Sequence, residues 1–112
     1  PILTQSRIDT PRDSTRIDPG AVAVAGVAWA PDRGISAVEV QVDEDGWQPA
    51  EVSTPISDAT WVQFVYRWKA TSGEHLLRVR ATDGDGVVQT DERSRPDPDG
   101  ARGHHTIRVN VA

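Results

Sequence analysis

The chain contains no cysteine, which excludes a disulfide framework, a thiolate nucleophile and any metal group held through cysteine sulfur. The compartment stays open, since a thiol-free chain suits either side of a membrane. Methionine is also absent, and the chain opens Pro1-Ile2-Leu3-Thr4-Gln5 without a basic-then-apolar head. The first absence gives the expectation of a piece of a longer protein, and the second gives no signal peptide. Long apolar runs are missing. The longest, Ala21 to Ala30, is about half of what a bilayer needs and is mostly small residues. Positive charge is scarce: 12 Lys and Arg stand against 17 acidic residues, for a net charge of −5 and a pI of about 5.0. Neither nucleic acid nor direct contact with an anionic membrane surface is therefore expected.

What is present reads as strands and turns. At 112 residues and 12.2 kDa the chain is expected to form one domain over residues 1–112, and 9 Gly with 8 Pro supply many turns. Val38, Val40 and Val42 alternate with Glu39, Gln41 and Asp43. The same period of two runs through Val62, Phe64, Tyr66 and Trp68, through Leu77, Val79 and Ala81, and through Ile107, Val109 and Val111. A helix would need apolar residues three and four apart, and these runs lack them. Ala21 to Trp29 is ambiguous, because alanine favours helix. A strand with a bulge at Ala25-Gly26 is preferred, moving the inward set from Val22 and Val24 to Val27 and Trp29.

Turns are expected at Pro31–Gly34, at Asp43–Gly46 with Gly46 at positive φ, at Thr71–Gly73 and at Asp83–Gly86. Pro49 and Pro55 demote the strand near Glu51 to a short edge strand, and Asp91 to Gly103 reads as a long exposed loop. About seven short strands at this spacing predict an all-β fold, an immunoglobulin-like antiparallel β-sandwich.

Chemistry is hard to find. Neither Asp83-Gly84-Asp85-Gly86 nor Asp43-Glu44-Asp45 continues into the alternate oxygen ligands of a calcium loop, so turn-forming aspartates are the preferred reading. His104 and His105 are adjacent and point to opposite strand faces, and His75 starts a strand. Solvated strand-end histidines are expected rather than a zinc site. The serines fall in turns or on polar strand faces, with no Gly-x-Ser-x-Gly among them. Gly84-Asp85-Gly86 sits among carboxylates that would repel phosphate. Arg67, Arg78 and Arg80 could form a basic strip, although cross-strand pairs with acids explain them better. No catalytic, cofactor-binding or metal residue is assigned.

Tryptophan stands out, with four in 112 residues. Trp68 shares its face with Phe64 and Tyr66 and is expected in the core. Trp61 has the opposite parity, with Gln63, Arg67 and Lys69, while Trp29 and Trp47 stand beside turns. Trp29, Trp47, Trp61 and Arg67 are the candidate interface residues.

The ordered set Gly26-Val27-Ala28-Trp29-Ala30, Gly34 through Asp43 and Gly46-Trp47-Gln48-Pro49-Ala50 resembles one particular module. Trp61, Trp68, Gly73, Arg80-Ala81-Thr82-Asp83, Gly86 and Gln89 continue the agreement. It is similar to the C-terminal immunoglobulin-like dimerisation domain of sulfite-oxidase-type molybdopterin oxidoreductases, from about Arg7 to Val111. Thr90 and the region Arg102 to His105 depart from the family pattern, which implies a divergent bacterial relative, such as an extracytoplasmic part of a membrane-anchored protein. The resemblance implies that molybdenum is held by a cysteine of a separate, preceding domain and that this fragment binds no cofactor. Its partners would be its own N-terminal cofactor domain and, in a homodimer, a second subunit. The fragment would be non-catalytic and its parent an oxidoreductase. The alternative is a free-standing adhesion or carbohydrate-binding sandwich.

Overall fold

The computed structural model describes residues 4–30, 34–53, 61–89 and 105–112. Their backbone forms nine strands: β1 (Gln5–Thr10), β2 (Thr15–Ile17), β3 (Gly20–Trp29), β4 (Ile35–Val42), β5 (Gln48–Pro49), β6 (Glu51–Val52), β7 (Trp61–Ala70), β8 (Gly73–Asp83) and β9 (His105–Val111). They pair into a four-stranded sheet ordered β1-β3-β7-β6 and a five-stranded sheet ordered β2-β9-β8-β4-β5. The fold is the expected all-β sandwich. It has more strands than seven because β2, β5 and β6 are only two or three residues long, and the pair β2–β9 is parallel rather than antiparallel.

Period-two alternation decides what each sheet turns inward. Val38, Val40, Val62, Phe64, Trp68, Leu77, Val79, Ala81, Ile107, Val109 and Val111 are all buried in one core, with Tyr66 packed at its margin. Val24 and Ala28 join them from β3. The expected bulge in β3 is absent. β3 pairs with β7 without interruption from Gly20 opposite Ala70 to Trp29 opposite Trp61, so side-chain parity never switches. Val27 and Trp29 consequently face outward. The irregularity lies on the neighbouring strand, where the β1 register shifts between Ile8 and Thr10. Gly26 receives that distortion, since a Cβ there would meet the Arg7 carbonyl oxygen at 1.8 Å.

The expected turns at residues 43–46, 71–73 and 83–86 hold, with one correction. In the β4–β5 turn the left-handed residue is Asp43 (φ 55°), not Gly46. Aspartate tolerates that region, and here its own carboxylate secures it: Oδ1 accepts the Leu76 N–H at 2.9 Å and Oδ2 meets His75 Nδ1 at 2.7 Å. After β8, Gly86 (φ 85°) donates to the Asp83 carbonyl, and buried Asp83 accepts the Asp85 and Val87 N–H groups through Oδ1. Asp83 is a turn-forming aspartate. β5 and β6 are both edge strands, and Ala50 between them carries the chain from one sheet to the other while donating to the Val38 carbonyl. Residues 31–33 of the Pro31–Gly34 turn, Pro55, the Asp91–Gly103 loop and His104 lie outside the described residues.

Without a disulfide, polar side chains tie the sheets together along the β1 edge. Gln89 Oε1 accepts from Ser6 Oγ at 2.6 Å and from the Ala81 N–H at 3.0 Å, while its Nε2 donates to the Thr4 carbonyl at 3.1 Å. His105 Nδ1 accepts the Ile8 N–H at 2.9 Å, linking β9 to β1. Ser6 is thus buried rather than on a polar face.

Candidate functional site

The outer faces of the two sheets differ in chemistry. β4, β8 and β9 of the five-stranded sheet present Glu39, Gln41, Arg78, Arg80, Arg108 and Asn110 outward. The outward residues of β3 in the four-stranded sheet are Ala21, Ala23, Ala25, Val27 and Trp29, with no polar side chain among them. A central strand apolar on both faces is the pattern of a strand covered on both faces. Beside it, β7 turns out Trp61, Gln63, Val65, Arg67 and Lys69.

Three of the four candidate interface residues share this face. Trp29 and Trp61 are direct cross-strand partners, and Trp61 is 52% exposed, which makes it unlike the buried Trp68. With Arg7 and Val27 they line an open cleft of about 270 Å³. A wider trough of about 520 Å³ continues past Val27 over Ala25, Gln63 and Val65, with Asp9 on one edge and Glu51 on the other. Arg67 lies six positions along β7 from Trp61, near the opposite end. Neither Arg67 nor Lys69 has a hydrogen bond or ion pair among the described residues. Trp47 is elsewhere. It packs on the five-stranded sheet, where the Arg80 guanidinium lies 4.3 Å from its ring centroid.

Arg80 also pairs with Glu39 across β8–β4 at 2.8 Å, the expected cross-strand arrangement, and Arg78 reaches Gln41 at 3.4 Å. Arg67 belongs to the other sheet, so the three arginines form no strip. Sequence parity could reveal the outward Trp61. It could not reveal that Trp29 stands beside it, because that depended on the continuous β3 register.

His75 and His105 are not the solvated side chains expected. His75 sits between two acceptors, with Nδ1 at 2.7 Å from Asp43 Oδ2 and Nε2 at 2.7 Å from the Thr71 carbonyl, and its ring meets Trp68 edge-on. Only the protonated ring satisfies both acceptors. The Asp43 hydrogen bond raises its pKa above 6.5 against the opposing effect of burial. Burial and the Arg7 charge lower the His105 pKa, favouring the neutral ring that accepts from Ile8. Both imidazoles are committed to structure.

These residues do not fit a molybdenum cofactor. The sequence has no thiolate, and among the described residues no three His, Asp or Glu side chains converge on a metal position. No described helix is long and apolar enough to cross a membrane.

No protein-family model matches the chain, and no curated protein does. Solved structures do. The chain is similar to part of the sulfane dehydrogenase SoxCD of Paracoccus pantotrophus, at 25% identity and a TM-score of 0.72, covering 91% of this chain and 26% of that one. An endo-β-1,4-mannanase of Thermotoga petrophila matches at 14% identity and TM-score 0.65, over 99% of this chain and 20% of that one. Fibronectin(III)-like modules of CbhA from Clostridium thermocellum match at 19% identity and TM-score 0.63, over 99% and 47%. The last two likenesses show the fold alone. The chain therefore spans about a quarter of the sulfane dehydrogenase chain it matches, and its fold is that of an immunoglobulin-like sandwich found within longer proteins.

Proposed function

We propose that this domain is a non-catalytic packing module of a larger oxidoreductase of the sulfite oxidase type. It would lie against the cofactor domain of its own chain, against a second subunit, or against both. The observation that carries this reading is the outer face of the four-stranded sheet, where an apolar central strand ends in Trp29 beside exposed Trp61. Such a face marks an interaction site. The similarity to part of a sulfane dehydrogenase supports an oxidoreductase parent, as does the ordered residue set from Gly26 to Gln89. A molybdopterin-bearing domain that supplies its own cysteine would hold the metal, and this chain would contribute surface. An extracytoplasmic, membrane-anchored bacterial parent is part of the same proposal. The coding sequence upstream of Pro1 tests it: a cysteine-bearing cofactor domain is expected there, and an unrelated module in that place contradicts the reading.

A carbohydrate-binding module is the second reading, favoured by the Trp29–Trp61 pair because sugar rings stack on flat aromatic faces. Retarded migration in a gel containing soluble β-1,4-mannan, abolished by Trp61→Ala, would establish it in place of the first.

A further inference from the structure

β7 is far longer than β6, its neighbour at the sheet edge. β6 covers Val65 and Phe64 through Glu51 and Val52, and Ser53 extends the contact to Gln63. The Gln63 carbonyl accepts the Ser53 N–H at 2.9 Å, and the Gln63 N–H donates to Ser53 Oγ at 2.9 Å. Both backbone groups of Gln63 therefore point away from β3. Such groups alternate in direction along an antiparallel strand, so those of Val65, Arg67 and Lys69 point the same way. Before Glu51 the chain belongs to the other sheet, with Ala50 donating to the Val38 carbonyl. Among the described residues nothing pairs with the edge-side N–H and C=O groups of Arg67 and Lys69. Their side chains are exposed, with no ion-pair partner there either. Tyr66–Ala70 is thus a bare edge carrying two cations two residues apart.

We propose that this edge takes up an extended acidic segment of a partner protein as an added antiparallel strand. Acidic residues would stand opposite Arg67 and Lys69, with an apolar residue between them opposite Trp68. Strand addition satisfies the open backbone groups and gives affinity, while alternate side chains give specificity. Residues directly opposite across two strands are close enough for their charges to interact, and opposite charges there are favourable. Edge cations keep neutral and basic strands away, and a second copy of this edge would set cation against cation. An acidic strand is the one that both the backbone and the charges admit. Its middle side chain would turn inward beside buried Trp68 and half-buried Tyr66, where an apolar group fits. Few bonds are available, so the contact would be small and transient. The inference goes beyond the packing reading, because it concerns the edge of the sheet and does not depend on what covers its outer face.

The test titrates a capped peptide, Thr-Glu-Val-Glu-Thr, into the nitrogen-15-labelled 112-residue chain at low salt and follows the amide resonances. Shifts are expected to centre on Arg67, Trp68 and Lys69, and the Arg67 and Lys69 N–H groups should gain protection from hydrogen exchange. Added salt should weaken binding, since the charge pairs are exposed. N-methylation separates strand addition from attraction of charge alone. In the antiparallel register the glutamate N–H groups point at β7 and the valine N–H points away. Methylating both glutamates should abolish binding, and methylating the valine should leave it. The double variant Arg67→Glu, Lys69→Glu should bind this peptide at least about tenfold more weakly and accept its lysine counterpart. Its core amides should stay in place, because neither side chain has a partner in the fold. No shift at millimolar peptide overturns the proposal, as does equal binding of the glutamate-methylated peptide. Shifts centred on Trp29 and Trp61 would put the peptide on the sheet face and overturn the edge as its site. Slow exchange of the Arg67 and Lys69 amides without peptide would show the edge already paired, and also overturns it. None of these failures touches the packing reading, which rests on the outer face.

Discussion

Gly26 faces inward on β3 at the place where β1 crosses closest, and the backbone carbonyl of Arg7 occupies the space a side chain would need. Because the obstacle is backbone, it cannot rotate away. Gly26→Ala is expected to cost roughly 2–4 kcal/mol, measured by urea denaturation, through displacement of β1 from its neighbour. Gln89 is a second fixed point. Its side chain serves Ser6, Ala81 and Thr4 at once, so Gln89→Ala leaves several part-buried polar groups without partners. A loss of roughly 2–3 kcal/mol is expected in the same assay. Trp61 is the contrast. Being half exposed, it should tolerate replacement by alanine within about 1 kcal/mol in the dissociated chain, while association is lost. A loss like that of a core tryptophan would place Trp61 in the fold rather than in an interface.

Among the elements, long strands were readable and short ones were not. Alternation over eight or more residues, as in β4 and β7, leaves one consistent inward face. β5 and β6 contain two residues each, too few to show any period, and β2 pairs in parallel with the distant β9. β3 misled because glycine in an apolar strand suits either a bulge or a close approach, and only its pairing with β7 separates the two. Trp61 on the candidate site was visible from parity, whereas its proximity to Trp29 was not.

The strand ends also carry opposing pH responses. His75, raised above 6.5 chiefly by its bond to Asp43, contributes fully below that value, and its contribution fades as pH rises through the raised one. Burial pushes the Asp43 carboxyl up, but its bonds to His75 and Leu76 bring it below 3.8, so its contribution is lost only in strong acid. His105, lowered by burial and Arg7, contributes above 6.5 and fades as pH falls through its lowered value. Melting temperature against pH should therefore fall on both sides of a maximum near that value. His105→Asn is expected to flatten the acid side and His75→Gln the alkaline side. Unchanged curves in both variants would contradict these assignments.

For the molecule as a whole, two sheets share one core without a disulfide, and their outer faces are not equivalent. One is covered with cross-strand polar and charged groups. The other offers alanine, valine and tryptophan along a full-length central strand, the surface on which the proposed packing role rests. Fold-level similarity alone would not separate an enzyme's packing module from a sugar-binding one. Oxidative footprinting of the tryptophans is the most direct measurement, comparing the dilute 112-residue chain with the longer parent proposed for it. Trp61 and Trp29 should be strongly protected in that parent, with Trp47 oxidised at the same rate in both. Equal oxidation of Trp61 in the two samples would mean that nothing covers this sheet, and the domain would have some task other than packing.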